Sequence, residues 1–160
     1  MIERWDGSDF AGAKLAALID GHILTYRRDV KPGLPWPGLI DLPGGGREGD
    51  ESPAACALRE LHEEFGLALP ESRLWWARPL PSTNHAGRIG WFLALHLVET
   101  DVAAIRFGDE GRDPQLLEIG AFLTATDAVP PLQQRLRLLL ETAPKFRVSG
   151  YHTAKTPLFP

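Results

Sequence analysis

Three glutamates, Glu60, Glu63 and Glu64, fall within five residues of each other. If that stretch is helical, about 100° of turn per residue puts them inside an arc of roughly 100°. Like charges at i,i+3 and i,i+4 repel by a few tenths of a kcal/mol per pair. A solvated acidic face is one reason to keep such a cluster. A site for a hard divalent cation is another, and an oxygen-only donor set suits Mg²⁺ or Mn²⁺ better than Zn²⁺. The residues just upstream favour the cation. Pro43-Gly44-Gly45-Gly46 permits close approach of backbone to a ligand, and Glu48, Asp50 and Glu51 add further acid. A carboxylate-held metal beside a glycine-rich loop is what phosphoryl chemistry requires, because the metal neutralises phosphate charge and activates water.

These groups need elements to hold them. Ser52 is a good N-cap, Pro53 suits the first helical turn, and Gly66 suits the position just past the last. The helix between them should bury Ala54, Leu58, Leu61 and Phe65. Upstream, 13–29 reads as a hairpin turning at Asp20-Gly21. The Pro- and Gly-rich stretch 30–46 reads as loop, with a short strand at 39–42. Strands are expected at 73–78, 89–99 and 116–122, with loops at 82–90 and 107–114. An amphipathic helix is expected over 128–142, with Leu132, Leu136, Leu139 and Leu140 inward. The segment 143–160 lacks Asp and Glu and reads as an irregular tail. With no repeat and no linker, the chain reads as one domain, 1–160, of class α+β, a helix–sheet–helix sandwich.

Residues 45–67 resemble the Nudix box: Gly45, five residues, Glu51, seven residues, then Arg59, Glu60, Leu61, Glu63, Glu64, Gly66 and Leu67. All nine defined positions agree. The resemblance implies a Nudix fold, an α/β/α sandwich with a mixed β-sheet and a loop–helix–loop carrying the box. It also implies a Nudix hydrolase that cleaves a diphosphate linkage in a nucleoside diphosphate derivative. Carried over by position, Glu60, Glu63 and Glu64 would bind Mg²⁺, helped by the Gly45 carbonyl, while Arg59 and Glu51 would orient them. Gly108-Asp109-Glu110-Gly111 resembles the loop by which MutT-type members supply a further glutamate, making Glu110 a fourth metal ligand or the general base. Arg27 and Arg28, at the end of the second expected strand, are candidates for phosphate. Arg88 and Trp36 are candidates for substrate contact, Trp36 by stacking on a base. Cys56 reads as a small buried residue with some sensitivity to oxidation.

Substrate choice follows from positions outside the box. The tyrosine of the dinucleoside polyphosphate hydrolases is replaced by Ser82-Thr83-Asn84, and Pro81 lies close to a proline typical of ADP-ribose hydrolases. The Glu110 loop favours nucleoside triphosphates. Before the last helix stands Ala128-Val129-Pro130-Pro131, without the asparagine by which oxidised-guanine enzymes read purine. The expected activity is a MutT-type (d)NTP pyrophosphohydrolase, with ADP-ribose or nucleotide-sugar cleavage as the alternative. Outside catalysis, a nucleotide-binding module and an interaction domain with a merely solvated acidic helix remain open.

Composition narrows the partners. A net charge of −4 and 24% charged residues supply no basic field for nucleic acid. One cysteine among 160 residues excludes an internal disulfide. The first ten residues lack a signal-peptide apolar core, and no stretch reaches the roughly 18 apolar residues of a membrane span. A cytoplasmic protein acting on a small nucleotide-type substrate is expected, away from membranes and with its oligomeric state open.

Overall fold

The computed structural model describes residues 1–143; the expected irregular tail, apart from Ala143, lies outside the described residues. A hairpin, β1 (Gly12–Ile19) and β2 (His22–Arg27), turns at Asp20-Gly21 and pairs antiparallel. Strands β3 (Ile40–Asp41) and β4 (Gly44–Gly46) flank Leu42-Pro43. Helix α1 (Pro53–Phe65) leads to β5 (Leu74–Pro81) and β6 (Ile89–His96). Helix α2 (Glu99–Ala104), β7 (Arg112–Glu118), α3 (Ile119–Thr124) and α4 (Pro130–Thr142) complete the order.

The sheet runs β3-β2-β1-β6-β5, with β4 paired to β1 and β7 to β2. The pairing of β1 with β6 is parallel and the other ladders are antiparallel, so the sheet is mixed. Successive side chains on a strand face opposite sides, and β1 shows this directly. Ala13, Leu15 and Ala17 join the core beneath α1, while Ala16 and Leu18 join the core beneath α3 and α4. Helices therefore cover both faces, and the α/β/α expectation is met.

Helix α1 has the termini its residues specify. The Ser52 hydroxyl accepts from the Ala55 amide at 3.1 Å, and Gly66 closes the helix in the left-handed region at φ 70°. Ala54, Ala57, Leu61 and Phe65 are buried, whereas Leu58 is only half-buried at the edge of that face.

Three expectations change. The strand expected to reach residue 99 stops at His96, because the Asp101 carboxylate accepts from the Val98 amide at 2.8 Å and opens α2. The strand expected over 116–122 ends at Glu118. Ile119, Phe122 and Leu123 follow at i, i+3, i+4 spacing, which is a helical pattern, and α3 buries all three. At its other end that strand begins inside the expected loop, at Arg112, since β2 offers a partner along its length.

Candidate active site

A cavity of about 820 Å³ opens where β1, β4 and the last two turns of α1 meet the loop before β7. Glu60, Glu64, Gly45 and Glu110 all line it. Glu63 lies one turn along the same helix and is exposed.

The loop and helix are fastened by Arg59. Its guanidinium makes a two-pronged contact with Glu51, Nε to Oε2 at 3.1 Å and Nη2 to Oε1 at 2.9 Å. Nη1 donates to Glu60 at 2.9 Å and Glu63 at 3.1 Å, and Nη2 also reaches the Gly46 carbonyl at 2.9 Å. Such fork contacts fix geometry as well as charge. The Arg59 hydrogen bonds hold the Glu51 carboxyl down at about 2, well below the usual range.

The missing Cβ of Gly45 is what lets the Glu60 carboxylate sit against the loop, since a methyl group there would displace it. Cys56 is fully buried beneath the same loop, its thiol directed at the Gly45 and Gly46 carbonyls at 3.7 and 3.5 Å. Burial pushes this thiol up to about 12, which opposes the expected sensitivity to oxidation.

Glu64 accepts from the Gly44 amide at 3.1 Å, and its Oε1 lies 3.5 Å from the Tyr26 hydroxyl oxygen. Withdrawal from water raises its carboxyl to about 8, against the opposing pull of Lys14. Glu60 is raised as well, by burial, with Arg59 counteracting. Glu110 reaches the cavity on a loop pinned to the end of α1. The Gly108 amide donates to the Glu64 carbonyl at 2.8 Å and the Arg106 amide to the Phe65 carbonyl at 2.9 Å. A Cβ on Gly108 would press on the Glu63 carbonyl. Phe107 packs on Phe65 and Tyr26 at 5.3 and 6.1 Å between ring centres.

Beneath these lies a charge network that the sequence reading missed. Asp41, 1% exposed, accepts from Lys14 Nζ at 2.9 Å, from Arg28, and from the Tyr26 hydroxyl at 3.3 Å. Lys14 also donates to the Leu42 and Gly44 carbonyls at 3.0 and 2.8 Å. A lysine inside the otherwise apolar run of β1 was the available signal, since a buried cation demands partners. Arg135, on α4, is a second buried cation on the cavity wall that went unread.

The expected substrate contacts divide. Arg28 lines the cavity. Arg27 turns away to Asp127 and the Gly38 carbonyl, both at 2.9 Å. Arg88 pairs with Asp9 at 2.8 Å. Trp36 packs on the α3–α4 core and donates to Asn84 at 3.1 Å. None of these last three lines the cavity.

Among the described residues, no three Asp, Glu, His or Cys side chains stand together as a ready-made ion cage. The donors nevertheless suit a hard cation. Glu60 and Glu63 converge on one positive group, the Arg59 guanidinium. Glu64 is held in an environment that disfavours its anion until positive charge arrives.

A mixed sheet between helical layers, with a glycine loop delivering an acidic helix to its edge, defines the Nudix class of fold. The NUDIX domain family model matches residues 11–141, and the chain belongs to that family. An RNA pyrophosphohydrolase of Acidiphilium cryptum (strain JF-5) is 37% identical over 93 residues, 51% of this chain and 56% of that protein, so little more than half of the relative's length is matched. The MutT protein from Methanosarcina mazei Go1 superposes with a TM-score of 0.65 at 17% identity, over 86% of this chain and 97% of the other. A bifunctional NMN adenylyltransferase/ADP ribose pyrophosphatase from Francisella tularensis, crystallised with AMP and a Mn ion, gives 0.63 at 21% identity, over 84% of this chain and 42% of the other. Identities this low show the shared fold alone. No helix among the described residues is long and apolar enough to cross a membrane.

Proposed function

We propose that the chain is a divalent-metal-dependent pyrophosphohydrolase, most suited to nucleoside triphosphates of the MutT type. The observation that carries this reading is the meeting of Glu60, Glu64, Gly45 and Glu110 on one cavity wall, with Arg59 and Glu51 locking the loop to the helix. Glu60, Glu63 and Glu64, with the Gly45 carbonyl and Glu110, are the groups that would hold Mg²⁺, or Mn²⁺ in its place. Bound there, the ion would neutralise diphosphate oxygens and lower the pKa of water. The protein's own work is positioning. Arg59 keeps Glu60 and Glu63 aimed together, and Arg28 offers positive charge to phosphate oxygens at the cavity wall. Glu60 or Glu110 accepts the proton of the attacking water. Water adds at phosphorus as the bridging P–O bond breaks, giving a nucleoside monophosphate and pyrophosphate.

Two other substrates have support. The 37% identical relative is named as an RNA pyrophosphohydrolase, which favours testing RNA with a 5′-triphosphate. The Francisella neighbour and Pro81 favour ADP-ribose. A phosphate-release screen with Mg²⁺ should compare these with nucleotide sugars and dinucleoside polyphosphates. Turnover of nucleoside triphosphates that is lost in Glu64→Gln is expected. Mg²⁺-dependent binding without turnover of any substrate would replace the enzyme with a binding module. If Glu110→Gln keeps kcat while Glu60→Gln loses it, Glu110 is not the base.

A further inference from the structure

Arg135 has no described counterpart for its charge. Its side chain leaves α4 for the cavity and is 7% exposed. One of its N–H groups donates to the Pro81 carbonyl. A guanidinium carries five donors, and among the described residues no carboxylate pairs with it. Residues 144–160 contain no Asp or Glu, so no acidic side chain there supplies one. Lys14 and Arg28, the other two strongly buried or half-buried cations of the cavity wall, both share Asp41. Arg135 alone among these three faces the cavity unneutralised. A buried charge without an acidic partner is costly, so its place on a cavity wall points to an anionic ligand.

Its location says which part of a ligand. Arg135 lies against Pro81 and Gly90, at the facing ends of β5 and β6. Glu64 lies against Tyr26 of β2 and Gly44 of β4. Glu64 belongs to α1, which packs on one face of the sheet, and Arg135 to α4, which packs on the other. The polar residues Ser82, Thr83 and Asn84 stand on the cavity wall next to Pro81. The carboxylates of α1 and the Arg135 guanidinium thus reach the cavity from opposite layers of the sandwich.

We propose that Arg135 is a specificity-determining residue that takes a second anionic group of the substrate, a phosphate or carboxylate beyond the diphosphate that is cleaved. The inference deepens the pyrophosphohydrolase reading by favouring substrates that carry negative charge at two separated places.

The test is calorimetric titration of inorganic pyrophosphate in EDTA, which keeps divalent metal off the α1 carboxylates. A parallel arm uses malonate to separate phosphate from carboxylate recognition. Binding to the wild type that weakens about tenfold or more in Arg135→Gln supports the proposal, because that is the loss of one charge-assisted hydrogen bond. Arg135→Lys should recover most of it. Thermal melts and a second variant, Arg135→Met, separate lost binding from lost fold. With the preferred substrate, Arg135→Gln should raise KM about tenfold with little change in kcat. Wild-type binding equal to that of a folded Arg135→Gln, or no wild-type binding of either anion, overturns the proposal. So does an Arg135-dependent site for uncharged nucleosides alone. The two readings fail separately. A chain without turnover that still binds pyrophosphate through Arg135 loses only the enzymatic reading. A chain whose turnover depends on Glu64 but not on Arg135 loses only this one.

Discussion

At the scale of single residues, the Glu51–Arg59 fork carries the sharpest expectations. Arg59→Lys keeps the charge but cannot bridge Glu51, Glu60, Glu63 and the Gly46 carbonyl together. Activity should fall about 10- to 100-fold, measured as kcat/KM across a Mg²⁺ titration, in line with other groups that orient metal ligands. Glu51 also has a pH signature. Its folded pKa, about 2, lies below the ordinary 4.5. The unfolded chain therefore takes up a proton first as pH falls. The stability this ion pair contributes is complete above about pH 5 and is lost as pH drops toward 2. Glu51→Gln should lower Tm near pH 7 and converge with the wild type near pH 2, measured by thermal melts over that range. A constant difference at every pH would show that packing, not charge, is at stake. Cys56 makes a third case. Fully buried with its thiol on two carbonyls, it should resist maleimide at pH 7 until the protein is unfolded in urea.

At the scale of elements, the glycine loop and α1 act as one piece. Gly45→Ala places a methyl group against the Glu60 carboxylate. The variant should keep its circular dichroism spectrum and lose most of its turnover, because Glu60 must rotate out of line. This unit was legible in advance, since its caps, its glycines and its acids all sit within a short stretch with strong local preferences. What was not legible came from distant pairings. The helix at Ile119 reads as strand until Ile119, Phe122 and Leu123 are seen as one face on the α4 core. Arg27 and Arg88 carry the right charge for phosphate, yet Asp127 and Asp9 claim them, and those partners lie 100 and 79 residues away. Asp41 went unread for the same reason, as Lys14 reaches it from β1 and Arg28 from just past β2.

At the scale of the whole molecule, two cores hold one sheet, and the site sits where charge is buried between them. Lys14→Met leaves Asp41 with Arg28 and Tyr26 but removes its lysine contact and the two bonds Lys14 makes to carbonyls. Breaking a buried pair in this way should cost about 3 kcal/mol, read as a lower urea midpoint with an unchanged slope. Leu136→Ala, at the fully buried centre of the α4 core, should cost a comparable 2–5 kcal/mol. It lies on the sheet face opposite α1, so kcat at temperatures well below Tm should move little. Equal loss of activity and stability there would show that the two cores are not mechanically independent.

The parallel ladder between β1 and β6 has a consequence for how the protein comes into being. Ala13 pairs with Trp91 and Leu18 with His96, so the middle of the sheet joins chain segments some seventy-eight positions apart. Closing so long a loop is entropically slow and makes for high contact order. A ribosome-bound chain that has emerged only through α1 already displays its glutamates, but the strand that completes the cavity is still to be made. Catalytic competence must then wait for β6 to dock between β1 and β5 and for Glu110 to follow it. In refolding from urea, the return of activity should follow the slow fluorescence phase of Trp76 and Trp91, which flank that docking, and not the earlier gain of helix.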